Sequence, residues 1–159
     1  MKKFISLLLL SLLLVGCSGG EKTFDFTVAE YEERVGNALN QMDIGLSVLS
    51  SEENEDGRQV LSLSEDVFIF IDKDGDKPTA VSLAAMPNVT ETDDIYKIFT
   101  LLVGTVDDSL SLGDRNLLIN DLGLRGNNLL DYTEVINHNN IQYTYKGTAE
   151  NVVLQAKPK

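Results

Sequence analysis

The run Val67-Phe68-Ile69-Phe70-Ile71 constrains the fold more than any other part of this chain. β-Branched and aromatic side chains in unbroken succession suit a pleated strand. Apolar residues on both faces leave nothing for water, so a central strand covered on both sides is expected. Asp72 to Pro78 then reads as a turn, and Thr79 to Ala85 returns as the hairpin partner. The chain must therefore build a sheet around this hairpin and supply other elements to cover it.

The covering elements are legible as amphipathic helices. Thr27 and Glu30 form a T-x-x-E capping box, with Phe26 and Tyr31 placed as a hydrophobic staple. Val28, Tyr31, Val35, Leu39 and Met42 then recur at helical spacing, which predicts a helix from about Thr27 to Met42. Thr90 and Asp93 open a second helix carrying Ile95, Ile98, Phe99, Leu102, Val103 and Val106. Ser111 and Asp114 open a third with Leu117, Leu118 and Leu122, and Gly123 stands where a C′ glycine belongs.

The remaining segments read as strands. Ile44 to Ser50 is expected as the first, Ser51 to Arg58 as a polar turn, and Val60 to Leu63 as the second. Tyr132 to Ile136, Ile141 to Lys146 and Val152 to Ala156 are expected as the last three, with turns at Asn137 to Asn140 and at Gly147-Thr148. Short turns between strands imply antiparallel pairing, and helices grouped between strand runs imply an α+β fold. The expected order is α-β(3–4)-α-α-β(2–3), an antiparallel sheet with helices packed on one face. That order resembles those of cystatin-like and secretion-chaperone-like folds, without a shared motif, and a likeness of order carries no function. Cys17 is the only cysteine, so no internal disulfide is possible and core burial alone must hold the domain.

The first residues have a different character. Met1-Lys2-Lys3 is basic, and Phe4 to Val15 is an uncharged apolar run. A membrane-crossing helix needs about 20 apolar residues. A secretory signal peptide needs only about 7–15 after a basic start, which this run satisfies. It ends Leu14-Val15-Gly16-Cys17, which resembles the lipobox of bacterial lipoproteins. The resemblance covers those residues and the segment before them. It implies a diacylglyceryl group on the Cys17 sulfur, the nucleophile such a thioether requires, and cleavage between Gly16 and Cys17. Two acyl chains anchor stably where one is marginal. The expected organisation is a signal peptide at 1–16, a lipidated cysteine and flexible tether at 17–23, and one globular domain at 24–159. The protein would then be lipid-anchored at the cell membrane and exposed outside the cytoplasm. In a host with an outer membrane, Ser18 after the cysteine implies sorting to the periplasmic face of that membrane, again by resemblance.

Charge narrows the partners. The chain has 25 Asp and Glu against 13 Lys and Arg, for a net −12. Loss of Lys2 and Lys3 leaves 11 cations against 25 anions, or −14. Such a surface repels nucleic acid and anionic headgroups, so membrane attachment falls to the lipid on Cys17; it would suit a basic protein partner, although solubility is the simpler reason for the charge.

Candidate chemistry is sparse. Asp72, Asp74 and Asp76 resemble the start of a calcium loop, but Lys77 and Leu83 stand where an EF-hand needs Gly and a bidentate Glu, and the flanks read as strands. A hairpin turn is the better reading. His138, the only histidine, lies in a polar turn without evident partners for a zinc site or a triad. Asp93-Asp94 and Asp107-Asp108 are carboxylate pairs, explained by capping and turn roles; adjacent helical residues point in different directions. The chain has no Trp for sugar stacking. Tyr143 and Tyr145 share one strand face and are either an aromatic interface patch or, more simply, packing beneath a helix. No cofactor motif is present. The expected function is that of a non-enzymatic envelope lipoprotein acting as a binding or accessory protein. The alternatives are a protective immunity or phage-exclusion lipoprotein that neutralises a basic protein, and a carboxylate-dependent hydrolase.

Overall fold

A computed structural model describes residues 21–86, 92–125 and 129–159. The lipobox with Cys17, the signal segment and most of the tether lie outside the described residues, as does Thr90. The protein is α+β, with three helices and one seven-stranded antiparallel sheet. The elements in chain order are α1 (Val28–Met42), β1 (Ser50–Glu53), β2 (Gln59–Ser62), β3 (Val67–Asp74), β4 (Lys77–Ala85), α2 (Thr92–Val106), α3 (Leu112–Asp121), β5 (Tyr132–His138), β6 (Ile141–Gly147) and β7 (Val152–Pro158). No helix among the described residues is long and apolar enough to cross a membrane.

The strand order β1-β2-β3-β4-β7-β6-β5 shows two meanders joined through β4 and β7. Each meander is closed by short turns. Gly75 takes φ +61 in the β3–β4 turn, and Asn139 and Asn140 both take positive φ in the β5–β6 turn. The latter is the pattern of a type I′ hairpin, which suits the right-handed twist of the strands. The turn is therefore only Asn139-Asn140, and His138 ends the strand instead of lying in the turn as expected.

Local chemistry fixes the starts of α1 and α3 as anticipated. The Thr27 hydroxyl accepts from Glu30 N–H at 3.2 Å, while Glu30 accepts from Thr27 N–H at 2.7 Å. These bonds, the backbone one first, hold the Glu30 carboxyl below its ordinary range. Phe26 stacks on Tyr31 with ring centroids 5.6 Å apart, which closes the staple. The same reciprocal box joins Ser111 and Asp114 at the start of α3. Asp43 ends α1 in the left-handed conformation. On α3 the buried positions are Leu118 and Ile119, with Leu122 just beyond, whereas Leu117 is 62% exposed and does not join the core as expected.

Two strand expectations need correction. The first strand is not Ile44 to Ser50 but Ser50–Glu53, in the segment read as a turn. Its sequence has no β preference; it is held by pairing with β2 and by side-chain bonds, Ser51 donating to Glu32 on α1 and accepting from Gln59. The Val67–Ile71 run is not covered alike on both faces. Val67, Ile69 and Ile71 are buried beneath the helices, while Phe68 and Phe70 lie partly exposed on the opposite face. The central strand is β4. On its outer face it carries Ala80, Ser82 and Ala84, and neighbours such as Phe68, Phe70 and Gln155 shade these small side chains.

The core lies between the helices and the inner sheet face. It holds Tyr31, Val35 and Leu39 of α1, Ile95, Phe99 and Leu102 of α2, and Leu61, Ile69, Leu83, Tyr143, Tyr145 and Leu154 of the sheet. Tyr hydroxyls in it bond to fixed partners. Thr105 donates to the Leu101 carbonyl and so accepts from Tyr31, 3.1 Å away. Tyr145 donates to the Leu129 carbonyl at 2.5 Å and meets Phe99 edge-on. Burial pushes the phenols of Tyr31, Tyr143 and Tyr145 well above their usual value.

Gly147 is the last residue of β6, not part of the following turn. A Cβ there would come within 1.7 Å of the Leu129 carbonyl oxygen. The glycine lets the segment entering β5 lie directly against β6, where Tyr145 holds it. Gly147→Ala is expected to lower stability by about 2–3 kcal/mol through this overlap. Tyr145→Phe, which strands one carbonyl, should cost about 1–2 kcal/mol. Urea denaturation of both variants measures the two effects.

Candidate functional site

The ends of the elements divide the domain into two poles. One pole gathers the start of α1, the β1–β2, β3–β4 and β5–β6 turns, the α2–α3 loop and the C-terminus. The chain also enters here: Phe24 N–H donates to the Pro78 carbonyl and Val28 N–H to the Asp76 carbonyl, both at 2.8 Å. Phe24 and Phe26 then turn into the core and stack at 4.9 Å.

At this pole a crevice of about 740 Å³ opens between the entering chain, the α2–α3 loop and the β5–β6 turn. Asp25, Arg34, Asp107, Asp108 and Asn139 are among its polar side chains, and Phe24, Val106 and Ile141 among its apolar ones. Each arrives for a local reason. Arg34 lies on α1 with its guanidinium 4.7 Å from the centre of the Phe26 ring, donates to the Thr105 carbonyl and pairs with Asp108 at 3.3 Å. Asp107 follows the last turn of α2. Its carboxylate accepts from Ser109 N–H and hydroxyl, at 3.1 and 2.5 Å, and from Asn139 Nδ2 at 3.0 Å. Asp107 thus ties the α2–α3 loop to the β5–β6 turn. Partial burial alone would raise its carboxyl. The bonds from Ser109 and Asn139, with the nearby His138, outweigh that and hold it below its ordinary range.

Among the described residues the Tyr143 hydroxyl is buried without a hydrogen-bond partner. Burial first, and then the charge of Asp107, push its phenol upward. A buried hydroxyl without a mate is unusual, and here it stands close enough to the crevice carboxylate to feel its field.

The charges of the crevice suit binding of a cation. Three carboxylates against one guanidinium give the crevice a net charge of −2, since 1 − 3 = −2, so it favours ammonium or guanidinium groups over anions. Ser109 donates straight to Asp107, and no histidine nitrogen is bonded to its hydroxyl. A serine nucleophile needs that base. His138 is exposed and lies near enough to Asp107 to favour its charged form.

The sequence candidates fall in separate places. Asp72 is held by Arg58 at 2.7 Å, and Asp74 and Asp76 flank Gly75 in the β3–β4 hairpin. Among the described residues no group of three or more His, Cys, Asp or Glu is placed to hold a metal ion. Tyr143 and Tyr145 share a face as alternation requires, but that face is the covered one. Both are fully buried, which removes them as an interface patch and leaves the packing role. Asp93 and Asp94 lie in the first turn of α2, and Asp94 pairs with Lys97 at 3.0 Å. Arg34 and Asn139 were not legible as site residues. Their only sequence trace is an arginine on the polar side of α1 and an asparagine suited to positive φ.

Asp107→Asn is expected to lower stability at neutral pH by about 1 kcal/mol, the contribution of a partly exposed charged hydrogen-bond acceptor. A carboxyl depressed in the folded state stabilises above its unfolded pKa and stops doing so as pH falls through the folded value. The gap between wild type and variant should therefore close below about pH 4. Thermal melts across pH 7 to 3 read both effects.

Compared with protein-family models, with curated proteins and with solved structures, this chain shows no match.

Proposed function

We propose that this protein is a lipid-anchored, non-enzymatic binding protein of the cell envelope. The observation that carries the reading is the sequence Leu14-Val15-Gly16-Cys17 behind a basic and apolar leader. Charge supports it, because a mature chain at −14 has no means of holding an anionic membrane except through lipid. The geometry is compatible with it. Phe24 is already packed in the core, and the seven residue steps from Cys17 to Phe24 reach at most about 25 Å. An anchor at Cys17 would therefore hold the crevice pole near the bilayer.

The remaining surface would then face outward. It includes the pole formed by the α1–β1 segment, the end of β4, the start of α2 and the β6–β7 turn, together with the open sheet face of Phe68, Phe70, Ala84, Val153 and Thr144. The net negative charge of the chain favours a basic protein as partner, which also keeps a protective role against a basic toxin or phage protein within the proposal.

Cys17→Ser should leave unprocessed precursor in cells and abolish incorporation of radiolabelled palmitate. Mass spectrometry of the wild-type protein should find a mature N-terminus at a diacylglyceryl-modified Cys17. A mature chain starting elsewhere, or labelling that survives the substitution, would overturn the reading.

A further inference from the structure

The sheet has two free edges, and they are built differently. β1 is four residues long and ends in Glu52 and Glu53. Short length and charge are the usual guards against edge-to-edge pairing. β5 runs seven residues, Tyr132-Thr133-Glu134-Val135-Ile136-Asn137-His138, with Glu134 as its one charged side chain. On a strongly acidic chain this edge is nearly neutral, rich in β-formers, and free of the lysine or proline that would blunt it. Among the described residues no strand pairs with its outer side.

The polar groups along that edge can be assigned. Lys159 N–H donates to the Asn140 carbonyl at 2.8 Å, so residue 140 faces β7. Orientation alternates along an antiparallel strand. Odd-numbered residues of β6 therefore bond β5, and their partners are Tyr132, Glu134, Ile136 and His138. Thr133, Val135 and Asn137 turn their N–H and C=O groups to the open side. The Val135 N–H agrees: it donates to the carboxylate of its own neighbour, Glu134, at 3.2 Å.

We infer that β5 pairs with β5 of a second copy of this chain, antiparallel, about a two-fold axis at Val135. In this register Val135 faces Val135, and Thr133 and Asn137 face each other on both sides of the axis. Each of these pairs exchanges two backbone bonds, so every outward group of the edge is used. Glu134 falls opposite Ile136 and Tyr132 opposite His138, so no two like charges stand directly opposed. The Val135 N–H exchanges its weak bond to Glu134 for the carbonyl across the axis. α2 packs over β4 and β7, and β7 lies two strands in from this edge. Two such edges bury less than the about 1,000 Å² of a stable interface, so the pair forms where copies are concentrated and not in dilute solution. The inference does not depend on the lipid; any surface that concentrates the chain suffices.

Disulfide trapping in cells expressing the full chain tests the register. Facing Cα atoms in a bonded antiparallel pair are about 5.5 Å apart, within disulfide reach. Two copies of residue 133 would sit about 14 Å apart, beyond it. Val135→Cys should give an oxidised dimer of twice the chain mass, on the order of ten-fold more than Thr133→Cys or the wild type, which has no cysteine in β5. Val135→Lys, which sets two ammonium groups face to face at a 46% exposed position, should remove the wild-type dimer seen with an amine-reactive crosslinker and leave the melting temperature unchanged. Equal trapping at 133 and 135 would mean random collision. Absence of trapping at 135 in a chain with wild-type circular dichroism would mean the edge is unused or belongs to another partner's strand. Either result overturns the inference.

Discussion

The pairing of β4 with β7 is the contact on which the rest of this structure depends. Each meander is made of neighbours in sequence and could form from local turns. Nothing local joins them. From Val81–Ala156 to Ala85–Val152, backbone pairs link residues more than sixty positions apart and turn two small sheets into one. Without a disulfide, this ladder and the side chains on its faces are the main hold between the halves. Closing so long a loop costs entropy that the buried face must offset. Leu83, Leu154, Tyr143 and Tyr145 lie on that face, and α2 is laid across β4 and β7, covering the junction with Ile98, Phe99 and Leu102.

The same junction explains why the outer sheet face can stay open. At the centre, β4 presents Ala80, Ser82 and Ala84 outward. Gln155 Nε2 bonds Ser82 Oγ at 3.0 Å, and Phe68 and Phe70 flank the trough. Arg58, 5.8 Å from the Phe70 ring centre, shields part of that aromatic surface while pairing with Asp72. The backbone there is covered by its own neighbours, so no second layer of helices is needed.

What could be read from the sequence follows the range of each interaction. The caps at Thr27 and Ser111 depend on residues three apart, and both form as expected. The hairpins at Gly75 and Asn139-Asn140 depend on residues adjacent in the chain. β1 was misplaced because Ser50-Ser51-Glu52-Glu53 becomes a strand only by lying beside β2. The Val67–Ile71 run implies cover on both faces, because periodicity cannot show that its neighbours on one side are small. The α+β layering survived these errors because it follows from element order. The crevice was illegible for the opposite reason: Asp25, Arg34, Asp107 and Asn139 come from four separate elements, and only the tertiary fold brings them to one pole.

Negative charge is distributed so as to separate two demands. Twenty-five acidic residues keep a chain soluble and apart from its copies, yet a seven-stranded sheet always ends in unpaired backbone. β1 answers this with Glu52 and Glu53 and with Lys73 reaching to Glu53. β5 has only Glu134, whose side chain is drawn to the Tyr132 hydroxyl and the Val135 N–H. A carboxylate placed that way can occupy one edge donor, but it cannot cover the outward groups of Thr133 and Asn137. Like-charge repulsion elsewhere on the surface weakens within about 10 Å at moderate salt, whereas backbone pairing acts at contact. An edge stripped of charge on an otherwise acidic domain is thus the place where approach costs least.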